Sequence, residues 1–375
     1  MSSSLAYTEQ LVRFPTVSRD SNREISDCVT GILQRLGCAT EQFAYRDEQG
    51  VEKVSVVAKF GEGTGGFAYF CHTDTVPAET WHDSVGPFTP VVKEGRLYGR
   101  GSCDMKGSLA CFLAALESLG GRPLARPVYV VCTADEEVGS GGARDVASRS
   151  RWYREMVADQ PVGVIGEPTS LEVVYAHKGI AGFRAVSRGL AAHSSLSKGI
   201  NANLAMIPFL VEMKAIYEET QSDPRWKNDE FDPPVLSWNI GINDHNPAVN
   251  ITAERSVCTV AFRPMPGIAS RPLLERAQRA AEKLGLEFTV LYDGQPLYTP
   301  RDSDVIRRAL ALTGTSQPRT VAYGTDGVMF GELRRLFVCG PGSIAQAHTR
   351  DEFISLEQLE RGAVVFQNMV RHWCG

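Results

Sequence analysis

Segments with helical spacing of apolar residues alternate along this chain with short apolar runs rich in β-branched and aromatic residues, and that alternation leaves few folds open. "EISDCVTGILQRLG" places apolar residues at helical intervals and ends on glycine, whereas "KVSVVAKF" and "GFAYFCH" are compact, strand-like runs. "MKGSLACFLAALESLGG" then predicts a helix, "PVYVVCTADEE" a strand and "VGVIGEP" another short strand. The expectation is an α/β domain whose mostly parallel sheet is flanked by helices.

From about Lys178 the pattern changes. "GIAGFRAVSRGLAAHSS" alternates like a half-exposed strand, "NANLAMIPFLVEMKAIYEE" predicts an amphipathic helix, and "VLSWNIGIN" and "RSVCTVAFRP" alternate again. The helix "SRPLLERAQRAAEKLG" and the strand "LEFTVLYD" complete a β-α-β-β-α-β order, that of a small two-layer α+β domain. Helix "DSDVIRRALALTG", the run "LFVCGPG" and helix "LEQLERGAVVFQNMVRHW" then resume the first pattern. The 375 residues therefore divide into an α/β domain in two parts, 1–177 and 294–375, with an inserted domain at 178–293.

Acidic residues and histidines collect at one kind of place, the carboxyl end of a predicted strand or the loop after it. His72 and Asp74 follow "FAYF", Asp104 follows "RLYGRGSC", Glu136 and Glu137 follow "VYVVCTAD", Glu167 follows "VGVIG", and His348 lies beyond "LFVCGPGSIAQA". In an open parallel sheet those ends converge on the ligand-binding crevice. Mixed imidazole and carboxylate donors suit zinc first, with cobalt or manganese as alternatives, and the inventory suffices for two ions bridged by one carboxylate. The Glu136-Glu137 doublet can divide its labour, one side chain holding an ion and the other acting as base. For Asp104 a competing reading is that it caps the helix after it.

Composition narrows the partners. Lys and Arg total 39 against 44 Asp and Glu, with no basic block to bind phosphate backbones or anionic membranes, so nucleic acid and membrane partners are not expected. The opening "MSSSLAYTEQLVRFPTVSRD" lacks the cationic and apolar regions of a secretory signal, which predicts a cytoplasmic protein. Nine cysteines without C-x-x-C spacing predict reduced, structural thiols.

Taken together, "HTDTVP", "GRGSCDMKGSLA", "TADEEVGSGGA", "GEPTS", "GLAAHSS" and "GPGSIAQAHTRDEF" resemble the co-catalytic zinc amidohydrolases that include acetylornithine deacetylase, succinyl-diaminopimelate desuccinylase and carboxypeptidase G2. The motifs run from the first helix to the last in the family's order. The resemblance implies two zinc ions, with His72 and Glu167 as terminal ligands of one, Glu137 and His348 of the other, and Asp104 between them. It implies Asp74 as the residue orienting His72 and Glu136 as general acid/base. It also implies that the inserted domain is a lid that pairs two subunits and supplies His193 to the developing oxyanion. Asn250, Arg263, Gly324 and Thr325 would then contact substrate, Arg263 through its planar fork.

"GPGSIAQAH" followed by "DEF" looks most like the acetylornithine deacetylase branch, although Arg350 replaces a common proline and Asp326 a common glutamate. The expected activity is hydrolysis of an N-acyl amino acid, N-acetylornithine first, by a homodimer. A desuccinylase or a dipeptidase/carboxypeptidase of the same chemistry is the nearest rival, and a non-catalytic metal-binding protein is the rival of another class. A serine or cysteine hydrolase built on "HSS" or Cys103 is weaker, because no G-x-S-x-G motif or local base-nucleophile arrangement is evident.

Overall fold

The run Phe67–His72 is buried along its whole length, and the reason is its position inside a nine-stranded sheet. In the computed structural model, which describes residues 3–82 and 85–375, the chain forms two units. The first comprises Met1–Ala176, Leu297–Arg319 and Thr325–Gly375; the second comprises His177–Pro296 and Thr320–Gly324. His177, residues 294–296 and residues 320–324, placed with the outer domain by sequence, thus group with the inserted part.

In the nine-stranded sheet Ala39–Arg46, Glu52–Phe60, Val128–Thr133, Phe67–His72, Val162–Ile165, Leu336–Val338, Val174–His177 and Leu297–Tyr298 lie side by side in that order, and Arg319–Val321 adds beside Val174–His177. Phe67–His72 runs parallel to both of its neighbours, and Leu336–Val338 runs parallel to Val162–Ile165. The strands outside this parallel centre pair antiparallel where Ala39–Arg46 meets Glu52–Phe60 and Glu52–Phe60 meets Val128–Thr133.

Aromatic side chains show why the centre is covered on both sides. Tyr69 stacks on Phe112 of helix Lys106–Ser118 at 4.2 Å and meets Phe366 of helix Leu356–Cys374 edge-on at 5.3 Å. Its neighbour Phe70, which points the other way along the strand, packs on Phe330 at 4.8 Å, and Phe330 in turn on Tyr153 of helix Arg151–Asp159. A strand covered on both faces must be apolar throughout, as this one is until His72.

A smaller sheet of Phe353–Ser355, Arg96–Tyr98 and Val91–Lys93 completes the first unit. Its register sets Phe353 opposite Tyr98, which draws the loop after Tyr98 towards Glu352. The second unit is a four-stranded antiparallel sheet, ordered Ser237–Asn243, Arg255–Arg263, Ile180–Arg188 and Glu287–Gly294, with helices Asn203–Ser222 and Arg271–Lys283. Its β-α-β-β-α-β order is the one read from sequence. Among the described residues no helix is long and apolar enough to cross a membrane. The nine cysteines are free thiols, eight of them buried.

Candidate metal centre

His72 is the last residue of its strand and is 2% exposed. Its Nδ1 lies 3.0 Å from the backbone carbonyl of Asp74 and 3.6 Å from that residue's carboxylate. A carbonyl can only accept, so Nδ1 carries the proton in the neutral ring and Nε2 presents a lone pair. That Nε2 faces Asp104 Oδ1 at 3.2 Å and Glu167 Oε1 at 3.8 Å.

The other oxygen of Asp104, Oδ2, faces His348 Nε2 at 3.4 Å, and His348 Nε2 lies 3.1 Å from Glu137 Oε2. One buried carboxylate therefore turns its two oxygens towards two imidazoles, each of which also meets a glutamate. Ligand atoms of His72, Asp104 and Glu137 lie within 4.8 Å of one another. The helix-cap reading of Asp104 does not hold: Met105 occupies the cap position of helix Lys106–Ser118, which has no side-chain cap.

Glu136 and Glu137 lie just beyond strand Val128–Thr133, as expected from sequence, though not in extended backbone: they form a 3₁₀ turn, Glu136–Val138, which follows Asp135 at φ 59°. Asp74 holds this turn: the N–H groups of Glu136 and Glu137 donate to its two carboxylate oxygens at 3.2 and 3.3 Å, and Ser18 Oγ donates to it at 2.7 Å. The left-handed residue is itself braced. Tyr45 donates to Asp135 Oδ2 at 2.6 Å, and buried Lys53 Nζ sits 3.0 Å from Oδ1. Such a backbone conformation costs a non-glycine residue energy, and these contacts offset it.

The electrostatics ask for cations. Burial raises the carboxyls of Glu136 and Glu167 well above the ordinary range; for Glu167 the charge of Asp104 adds to it, and for Glu136 those of Glu167, Asp326 and Glu137 add while His72 opposes. Burial also raises Asp326, to about 6, against hydrogen bonds from Thr133 and Ser140. Burial opposes the charged form of His72, yet bonds to Asp104 and Asp74 and the charge of Glu167 hold it well above its usual value. His348 is pushed up to about 10, first by its bond to Asp104 and next by that to Glu137. Crowded carboxylates that hold two neighbouring histidines in their protonated form are the donor set a pair of dications would neutralise in place of those protons. The residues present fit such ions.

The pattern of peptidase family M20/M25/M40 matches residues 68–372. The chain belongs to this family. Acetylornithine deacetylase of Proteus mirabilis (strain HI4320) is 30% identical over 97% of the chain and 95% of its own length, and that of Myxococcus xanthus is 31% identical over 98% and 96%. Among solved structures, the M20 family metallo-carboxypeptidase Sso-CP2 of Sulfolobus solfataricus superposes with a TM-score of 0.77 at 16% identity, covering 100% of this chain and 99% of that one. The YXEP protein of Bacillus subtilis, a dinuclear metal-binding peptidase of the M20 family, gives 0.65 at 14% identity over 98% and 97%. As an M20 member the chain is a metal-dependent hydrolase of amide bonds.

The remaining sequence-predicted residues of this M20 chain divide between the units. Thr325, in the first, is buried and accepts from the Gly327 N–H through its hydroxyl; Gly324 belongs to the second. His193, Asn250 and Arg263 are all in the second unit. A bridge between His193 and Ile251, and a bond from Ser194 N–H to the Asn250 carbonyl, bring His193 and Asn250 together. Ser195 Oγ lies 2.7 Å from His193 Nδ1, a local base-hydroxyl contact that sequence reading did not anticipate, and the Ser195 N–H also approaches that nitrogen at 3.3 Å. Cys103 is fully buried, and its thiol donates to the Ser343 carbonyl, so it is no candidate nucleophile.

Sequence reading missed Ser18, Tyr45, Lys53, Asp135 and Glu352. Lys53 left one trace, a lysine at the head of the strand run "KVSVVAKF" that is buried with it. The others act only through contacts with residues far away in the chain.

Proposed function

We propose that this enzyme hydrolyses the amide of an N-acyl amino acid, with N-acetylornithine as its first substrate and ornithine and acetate as products. The observation that carries the chemistry is Asp104, whose two oxygens face His72 and His348, with the Glu136-Glu137 turn held against the same residues by Asp74. Full-length similarity to proteins named acetylornithine deacetylase supports the substrate.

Two zinc ions are the proposed occupants, cobalt or manganese being alternatives. His72 and Glu167 would hold one, Glu137 and His348 the other, and Asp104 both. When bound, such ions polarise a carbonyl and lower the pKa of water. Glu136 takes the proton from the attacking water and delivers it to the leaving amine nitrogen. Glu137 rather than Glu136 supplies an atom to the close ligand group, which supports this division.

His193 is proposed to donate from Nε2 to the developing oxyanion. An N–H can only donate, so the approach of Ser195 N–H makes Nδ1 the acceptor and leaves the ring proton on Nε2. Arg263 and Asn250 are proposed to bind the substrate, Arg263 taking its carboxylate, and Gly324 and Thr325 are proposed to contact it as well. We further propose a homodimer through the second unit. Exposed Leu204, Ile207 and Val211 line one stripe of helix Asn203–Ser222, and Ile242 is exposed on the edge strand Ser237–Asn243.

One set of assays tests these readings. N-acetylornithine, N-succinyl-diaminopimelate and dipeptides are compared with enzyme that is metal-loaded, chelator-stripped and reloaded with zinc or cobalt. N-acetylornithine is expected to have the highest kcat/KM, and stripping to cost on the order of 10²-fold or more, restored on reloading. A faster dipeptide or succinyl substrate overturns the substrate; full activity in stripped protein overturns the mechanism. Sedimentation of the same sample at the mass of a single chain would exclude the dimer.

A further inference from the structure

Glu352 is 1% exposed and lies just ahead of the short strand Phe353–Ser355. Each of its carboxylate oxygens accepts twice. Oε1 takes the N–H groups of Cys103 and Asp104 at 2.8 and 2.9 Å; Oε2 takes the Gly101 N–H at 2.9 Å and Arg100 Nη1 at 2.8 Å. Its backbone carbonyl accepts a further bond from Gly99 N–H at 3.0 Å. Five donors from residues 99–104 thus converge on one residue some 250 positions later in the chain.

The loop could not be held this closely by its own sequence. Gly101 has φ +82°, and a side-chain carbon there would fall 2.8 Å from the Thr75 methyl, so the turn needs glycine, the residue least able to hold itself in one conformation. A buried carboxylate needs compensation as well, and Arg100, also buried, supplies the charge while three amides supply bonds. The result is a fixed backbone at Asp104. His348 stands four residues before Glu352, so one short segment brings both an imidazole facing Asp104 and the clamp on Asp104's backbone.

We propose that Glu352 is a positioning residue that presets Asp104 so that its two oxygens reach two metal ions together. The proposal rests on the metal-centre reading above. The chain is organised before any ion arrives, because the clamp uses only protein groups. Losing it leaves each histidine-glutamate pair in place but releases the carboxylate shared between them. The second ion therefore suffers more than the first, and turnover suffers more than substrate binding.

Glu352→Gln replaces one acceptor oxygen by an NH₂ group that cannot accept. Zinc or cobalt titration by calorimetry is expected to show two equivalents in the wild type, and in the variant a second equivalent weakened at least tenfold, with kcat reduced and KM within about twofold. Glu352→Asp, which keeps both oxygens on a shorter stem, should fall between. Glu155→Gln, which breaks contacts with Lys59 and Tyr129 at the opposite end of the strands, is the control for a merely structural loss: it should lower thermal stability without moving metal affinity. Two unchanged equivalents in folded Glu352→Gln overturn the proposal while leaving the metal centre intact.

Hydrogen exchange in metal-stripped wild type gives a reading that needs no variant. The amides of Gly101, Cys103 and Asp104 should stay at least about a hundredfold slower than unstructured amides. Free exchange there overturns the proposal even if both variants fail to fold. If the wild type takes up no divalent metal, the metal-centre reading fails, and the exchange result still decides whether the clamp holds the loop.

Discussion

Replacing Glu136 by glutamine is expected to reduce turnover on the order of 10²- to 10⁴-fold, the usual contribution of a positioned acid/base, while leaving metal content unchanged. Glutamine keeps the volume and the backbone N–H that donates to Asp74, so the turn should survive. What would disappear is the group proposed to accept a proton from water and return it to the amine. The check is metal content together with kcat, measured on one preparation. A variant that keeps both its metal and a near-normal rate would remove Glu136 from the mechanism. Loss of metal along with activity would instead make Glu136 a ligand and reverse its role with Glu137.

Asp104→Ala is expected to do the opposite, abolishing binding of the paired ions and, through that, activity. It also has a signature in the metal-free protein. His348 is pushed up to about 10, first by Asp104 and next by Glu137. Without the aspartate its titration should move down towards that of an ordinary histidine, as nuclear magnetic resonance would record.

The sign of the pH effect follows from the same shift. In the metal-free protein a charged His348 stabilises the fold fully below its unfolded pKa, and that contribution is lost as pH rises through about 10. His348 is half exposed, so the stabilisation is screened by solvent. Metal must displace the proton, so wild-type affinity should rise with pH over this range. An unchanged His348 titration in Asp104→Ala would sever the link between the two residues.

The division between what was legible in the chain and what was not has a physical basis. Periodicity is local: a strand covered on both faces must be apolar at each position, so "GFAYFCH" announces itself, and so does the helix "MKGSLACFLAALES" that covers it through Phe112. The positions of His72, Asp104, Glu137, Glu167 and His348 beyond such segments were equally local. His72, Glu137 and Glu167 end or follow strands of the parallel centre, whose ends reach one side of the sheet, whereas Asp104 follows Arg96–Tyr98 of the small antiparallel sheet and His348 lies well beyond Leu336–Val338.

Directions and partners were another matter. The antiparallel flank of the sheet depends on which strands meet, and periodicity is the same for either pairing. That the Asp74 carboxylate holds the Glu136-Glu137 turn joins loops separated by 62 and 63 positions. Asp104's two-sided exposure and the five bonds gathered by Glu352 join residues about 250 positions apart, and nothing in either neighbourhood encodes the other. By itself the sequence determined the alternation of elements, the inserted β-α-β-β-α-β unit and the inventory of donors, because these follow from local spacing and side-chain chemistry. Only the tertiary structure decided which oxygen faces which nitrogen and which buried residues hold them there, because hydrogen-bond geometry is a property of through-space contact.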